Sequence, residues 1–275
     1  MKSLTTKCIK NVIFRFNDDD VLALSSQLAY GFIFAFFPFM IFLMTMIGYS
    51  PVESGDVLAG LNRLLPKDTL ELIKNIVIEV VDTKNASLMS FSLIFTIWSM
   101  SSGFDAVIKA LNKAYDEREN RNFFVVKLIS ILFTFELTIV ILTLIFFLVL
   151  GQIVGNSIAY RYGFSQEFKV LWDAARYVIS ILTTIFIFAS LYHYTPSRRL
   201  TWHEVMPGSF FATIGLIAAS MIFAYYVNNF TNYSKVYGSI GAVIALLSWF
   251  FLGATIIISG GELNAILISK CGTKT

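Results

Sequence analysis

The sequence predicts an all-α, polytopic membrane protein: six transmembrane helices, with amphipathic interfacial helices at the N-terminus and in the first outer loop. Three observations carry that class. Hydrophobic residues fill 56% of 275 positions and charged residues only 14%, where a soluble domain carries about a quarter charged. Charge-free stretches recur; residues 240–258 are 19 in a row, about 28 Å as a helix and close to the thickness of a bilayer's hydrocarbon core. The 27 Phe and 12 Tyr suit lipid-facing and interfacial positions. The whole chain, 1–275, reads as one membrane domain.

Residues 1–20 interleave Lys2, Lys7, Lys10 and Arg15 with Ile9, Val12, Ile13 and Phe16 on one helical face, the pattern of a helix lying on a membrane surface. Asp18, Asp19 and Asp20 are N-cap candidates for the first span, 21–49. Gln27 and Tyr30 are expected to face protein there, and Pro38 to kink the helix. The loop 50–86 predicts one or two short amphipathic helices, with Asp68 and Glu71 spaced as a capping box. The second span, 87–102, is expected to run through Gly103 into a polar helix ending at Tyr115. Further spans are expected at 128–154, 174–194, 207–227 and 240–268.

Six spans place both termini on one side. That side carries clearly more Lys and Arg than the other, so the positive-inside rule predicts cytoplasmic termini. The apolar run that starts the first span is long and follows about twenty polar or amphipathic residues, so no cleavable signal peptide is expected. Cys8 and Cys271 are expected as free thiols rather than a disulfide. His193 and His203, with Glu204 nearby, lack metal-ligand spacing. No phosphate-binding loop, nucleophile elbow or Ser-His-Asp set occurs. No cofactor, no metal and no enzymatic activity are expected. Lys109, Lys113, Arg118, Arg121 and Lys127 are accounted for by topology and anionic lipid, so no nucleic-acid partner is expected.

Several motifs carry a resemblance. Tyr30 to Pro38 in the first span is followed by Ser-Met-Ser-Ser-Gly-Phe leading to Lys109-Ala-Leu-Asn112-Lys-Ala-Tyr115. Next come Tyr192-x-Tyr194-x-Pro196, Trp202 and Pro207-Gly208. Tyr237-Gly238-Ser239-Ile240-Gly241-Ala242, Trp249 and Gly261-Glu262-Leu263-Asn264 complete the series. In this order, over almost the whole chain, they resemble the YihY/BrkB family of bacterial inner-membrane proteins. The resemblance implies six transmembrane helices, cytoplasmic termini and an inner-membrane location. Members of that family have been called ribonuclease BN, linked to virulence or serum resistance, and proposed to transport lipid or solute.

The chemistry-bearing candidates lie at span margins, with one exception. Glu136 falls inside the third span, where a carboxylate costs about 3 kcal/mol on insertion scales and should face the bundle interior. It reads either as a coupling or substrate-binding group or as a hydrogen-bonded structural acid. Tyr30 and Pro38 are placed with it on a cavity. Glu262 and Asn264, with Lys109 and Asn112, are candidates for a cytoplasmic gate or ion pair; Lys113 and Arg198 are further partners for Glu262. Asn232, Tyr233, Tyr237, Gly238, Ser239 and Gly241 form an outer polar turn, read as an anion-binding vestibule or an aromatic belt at a helix start.

The leading expectation is a transporter or flippase-like protein for a lipid-like or small anionic substrate, in contact with membrane lipids. The alternative is a non-transporting scaffold or envelope-organising protein, and the least favoured is a hydrolase or ribonuclease. A homo-oligomer is compatible with either of the first two. A continuous wet cavity at Glu136 would favour transport. A dry bundle with Glu136 bonded to a neighbouring helix would favour the scaffold.

Overall fold

The chain is described from a computed structural model that covers residues 16–49, 54–55, 58, 67–83, 85–145, 166–229 and 239–269. Among these residues all regular structure is helical. The longer helices among them are α1 (Val21–Gly48), α2 (Lys67–Asp82), α3 (Ala86–Ala114), α4 (Phe123–Ile145), α5 (Gln166–Tyr194), α6 (Trp202–Asn229) and α7 (Ser239–Ile268). Five of them, α1, α3, α5, α6 and α7, are long and apolar enough to cross a membrane. The expected third span corresponds to α4, and its residues 146–154 lie outside the described part. The N-terminal amphipathic segment, apart from residues 16–20, and both cysteines also lie outside it.

Local sequence explains most boundaries. Pro38 sits inside α1 and Pro207 inside α6, and both helices continue past them. Asn85 caps α3, its side chain accepting the Leu88 amide at 3.0 Å. α3 then runs unbroken through Gly103 to Ala114, as expected. α6 opens with a one-sided cap in which Glu204 accepts both the amide and the hydroxyl of Thr201, at 2.7 and 2.8 Å. The start of α1 differs from expectation. Asp20 occupies its N-cap in the left-handed region (φ 52°, ψ 37°), yet its carboxylate caps nothing; it pairs with Lys113 at 2.6 Å. α2 is already helical at Lys67, so Asp68 lies within its first turn. α2 buries Val77, Val80 and Val81 and exposes Lys74 and Glu79.

The six long helices pack as a closed ring in the order α1, α3, α4, α5, α6, α7 and back to α1, with α3 also touching α7 across it. α1 and α3 form the most extensive pair. Glycine permits it: a Cβ on Gly31 would strike the backbone of Gly103, with the Gly103 nitrogen only 2.9 Å away. Rings tie α1 to α7, Phe250 lying 5.7 Å from Phe32 and 5.8 Å from Phe36. At the far end of α1, Gly48 lies against the backbone of Val81, which seats α2 on the bundle. The main buried cluster, including Leu28, Phe104, Leu111, Phe188 and Tyr192, fills the ring's interior toward the end where α3, α5 and α7 finish.

A sealed end and a central acid

Polar side chains converge at the end of the ring that carries the α3–α4 and α5–α6 loops. Asn112, near the end of α3, is buried; its Oδ1 accepts the Ser197 amide at 2.7 Å and its Nδ2 donates to Glu119 at 2.8 Å. Arg121 grips the Glu119 carboxylate through Nε and Nη2, at 2.8 and 2.7 Å, and Nη2 also donates to the Thr195 carbonyl at 2.8 Å. The Ser197 hydroxyl adds a bond to Glu119 at 3.1 Å. Two loops and the end of α3 are thereby joined around one carboxylate. The hydrogen bonds from Arg121 hold that carboxylate down at about 2, against an ordinary 4.5.

Behind this latch, three helices are locked by buried donors and acceptors. Asn264 of α7 accepts the Gly208 amide at 2.6 Å and donates to the Val205 carbonyl at 3.1 Å, on the turn of α6 that holds Pro207. A Cβ on Gly208 would lie 2.6 Å from the Asn264 carboxamide carbon and collide with the Gly260 carbonyl. Tyr192 of α5, wholly buried, donates to the Ile257 carbonyl at 2.6 Å. Gly260 is required there too, since a Cβ would run into the Tyr192 hydroxyl. The Cβ of any larger residue at Gly261 would meet Leu111 of α3.

Of the four residues expected to form a gate or ion pair, three are buried at this end and Lys109 is exposed. Asn112 and Asn264 are both buried members of the seal. Glu262 is buried beside Tyr115, whose phenol is pushed up by burial first and by the Glu262 charge second. Of the partners expected for Glu262, Lys113 pairs with Asp20 at 2.6 Å and Lys109 is exposed. Sequence reasoning did not single out Glu119, Arg121 or Ser197 as a unit, because their pairing depends on loop geometry. Asp105 was also missed; it accepts Ser130 at 2.8 Å and pairs with Lys127 at 3.6 Å, tying α3 to α4.

Further in, Glu136 faces the axis of the ring. It lines a central void together with residues of α1 (Leu28, Phe32), α3 (Phe104, Val107), α5 (Ile187, Phe188) and α7 (Ile257). The void is about 20 Å³ and Glu136 is its one polar wall residue. Such a space holds about one water. The Ser190 hydroxyl of α5 donates a hydrogen bond to Glu136 Oε1. Ser190 lies one turn from the end of α5 at Tyr194, so the acid is anchored toward the sealed end.

Tyr30 does not join this site. Its side chain is 62% exposed, its ring tilted against that of Phe34 at 4.4 Å, and Gln27 is exposed as well. The expectation that they face protein is corrected: Ser25, Leu28, Ala29 and Gly31 take the inward positions. Pro38 lines a separate side groove between α1 and α3. Of the outer turn, Asn232, Tyr233, Tyr237 and Gly238 lie outside the described residues; Ser239 starts α7 and Gly241 is part-buried in its first turn. His193 stacks on Trp202 at 4.6 Å. Among the described residues no three His, Cys, Asp or Glu side chains come together as a metal site.

The family model described as "Virulence factor BrkB" matches residues 12–274. The chain belongs to the BrkB family. Among its relatives, a putative ribonuclease-like protein YfkH of Bacillus subtilis is 38% identical over 259 residues, 94% of each chain. UPF0761 membrane proteins of Alteromonas mediterranea and Aggregatibacter aphrophilus are 25% and 24% identical, covering 93% and 92% of this chain and 85% and 89% of theirs. No solved structure matches the chain. This BrkB-family chain is accordingly an integral, multi-pass membrane protein, and the motifs that carried the resemblance include the seal: Asn112, Tyr192, Pro207-Gly208 and Asn264.

Proposed function

We propose that this chain is a six-span protein of the bacterial cytoplasmic membrane, with both termini in the cytoplasm, that binds and organises membrane lipid or envelope partners. It carries no solute along its axis in this state and catalyses no hydrolysis. The observation that carries the reading is the narrow centre: Glu136 is bonded to Ser190, and the void that the described residues leave beside it is about 20 Å³. The excess of Lys and Arg on the side of the termini supports the orientation. The ribonuclease-like name belongs to the Bacillus relative. His193 stacked on Trp202 and Glu204 engaged in a helix cap support no hydrolytic role here.

A second reading is favoured by one feature. A carboxylate on the axis of a helix ring, just above a sealed end, is also what an alternating-access carrier of a lipid-like or small anionic substrate presents with its inner gate shut. Flux separates the two. Liposomes holding the full chain are expected to pass protons, small anions and labelled phospholipid no faster than empty liposomes, and Glu136→Gln is expected to change nothing. Flux through the protein that Glu136→Gln abolishes would overturn the scaffold reading in favour of the carrier.

A further inference from the structure

A second space lies on the flank of the ring, away from Glu136. Beyond the contact of Gly31 with Gly103, α1 and α3 enclose a groove of about 640 Å³, within the range of small-ligand sites. Ile33, Phe37, Pro38 and Ile41 form one wall and Leu88, Phe91 and Phe95 the other. Ser92 also lines it, but its hydroxyl is turned to the Met89 carbonyl of its own helix at 3.0 Å. The groove therefore offers apolar surface alone. It is open to the side: Phe91 is 67% and Phe37 55% exposed. Both walls belong to membrane-spanning helices, so the groove opens at the depth of hydrocarbon tails.

Its mouth is not apolar. Leu88 is one turn from the start of α3; Asn85 takes the Leu88 amide there, and the positive end of the helix dipole still attracts anionic charge. Glu79 and Asp82, at the end of α2, are exposed beside that start, and Asp82 accepts Ser54 at 2.9 Å. Positive and negative ends thus stand together above a hydrocarbon slot. We propose that the groove holds one acyl chain of a zwitterionic aminophospholipid, its phosphate at the start of α3 and its amine toward Asp82 and Glu79. A tail in the slot replaces a void between helices with close contact, and the two headgroup charges meet opposite ones. The site is independent of Glu136 and of whether anything crosses the bundle.

The test uses the full chain reconstituted in vesicles of phosphatidylethanolamine and phosphatidylglycerol, then extracted for native mass spectrometry. One phosphatidylethanolamine per chain is expected to remain bound. Ser92→Phe, which fills the slot without removing an inter-helix bond, is expected to lower retention about tenfold. Leu88→Trp at the mouth gives the same readout should the buried substitution not fold, and Phe135→Ala, on the exposed face of α4, is expected to leave retention unchanged. Asp82→Lys is expected to reverse the preference toward phosphatidylglycerol. The proposal is overturned if no lipid is retained, if the filled variants retain it equally, if the two headgroups bind alike, or if Phe91→Cys forms disulfides between two copies, which would make a second chain the occupant.

Discussion

Asn264 does with one carboxamide what the sequence could only hint at. A Gly-Glu-Leu-Asn run at the end of a span reads as a cap or an ion pair. The structure uses the asparagine as a clasp between helices, giving and receiving one hydrogen bond on the turn of α6 that contains Pro207. Removing it takes the acceptor from the buried Gly208 amide, a loss of about 1–3 kcal/mol, while the Val205 carbonyl keeps its bond from the Ser209 hydroxyl. Asn264→Ala should lower the thermal midpoint in detergent accordingly, and Gly208→Ala should do so through collision instead. Glu136 was visible from sequence as the one acid inside a span; its partner Ser190 was not, since serines at helical spacing are common and direction is set by packing. Ser190→Ala should therefore destabilise the fold by about 1 kcal/mol, whereas Ser190→Thr, keeping the hydroxyl, should not.

Between elements, two kinds of join differ in how they respond to conditions. The α3–α4 and α5–α6 loops are held by Glu119, Arg121, Asn112 and Ser197. Because the Glu119 carboxyl sits at about 2 in the fold and at 4.5 ordinarily, its contribution is fully present above pH 4.5 and is lost as pH falls toward about 2. Proteolysis within residues 115–122 should be slow at pH 6 and faster at pH 3, and Arg121→Ala should make the loop sensitive at both. The α1–α3 join is pure shape. Gly31→Leu should split it, costing about 3 kcal/mol, with no dependence on pH. Periodicity exposed the helices themselves, including the run of α3 through Gly103. It misjudged the face of α1, because Gln27 and Tyr30 look like interior groups while the glycine contact and the small residues Ser25 and Ala29 decide which side is inside.

At the scale of the molecule, the class and the family were legible from composition, charge-free runs and motif order. Helix ends were less so: α5 begins at Gln166, eight residues before its apolar run, because hydropathy reports where lipid begins and not where the backbone stops being helical. The long helices follow one another around the ring in chain order; what was not legible is the closure of α7 on α1 and the contact of α3 with α7, which packing decides. The proposed orientation rests on the charge distribution and is open to measurement. Reporter fusions at both termini are expected to be active only on the cytoplasmic side, and a fusion in the 50–66 loop only on the other.

The described polar ties between the long helices gather toward one pole of the ring, while α1 and α3 part around a greasy slot beyond Gly31 and Gly103. The α1–α3 flank is accordingly expected to part first under denaturant, and the hydrogen-bonded pole last.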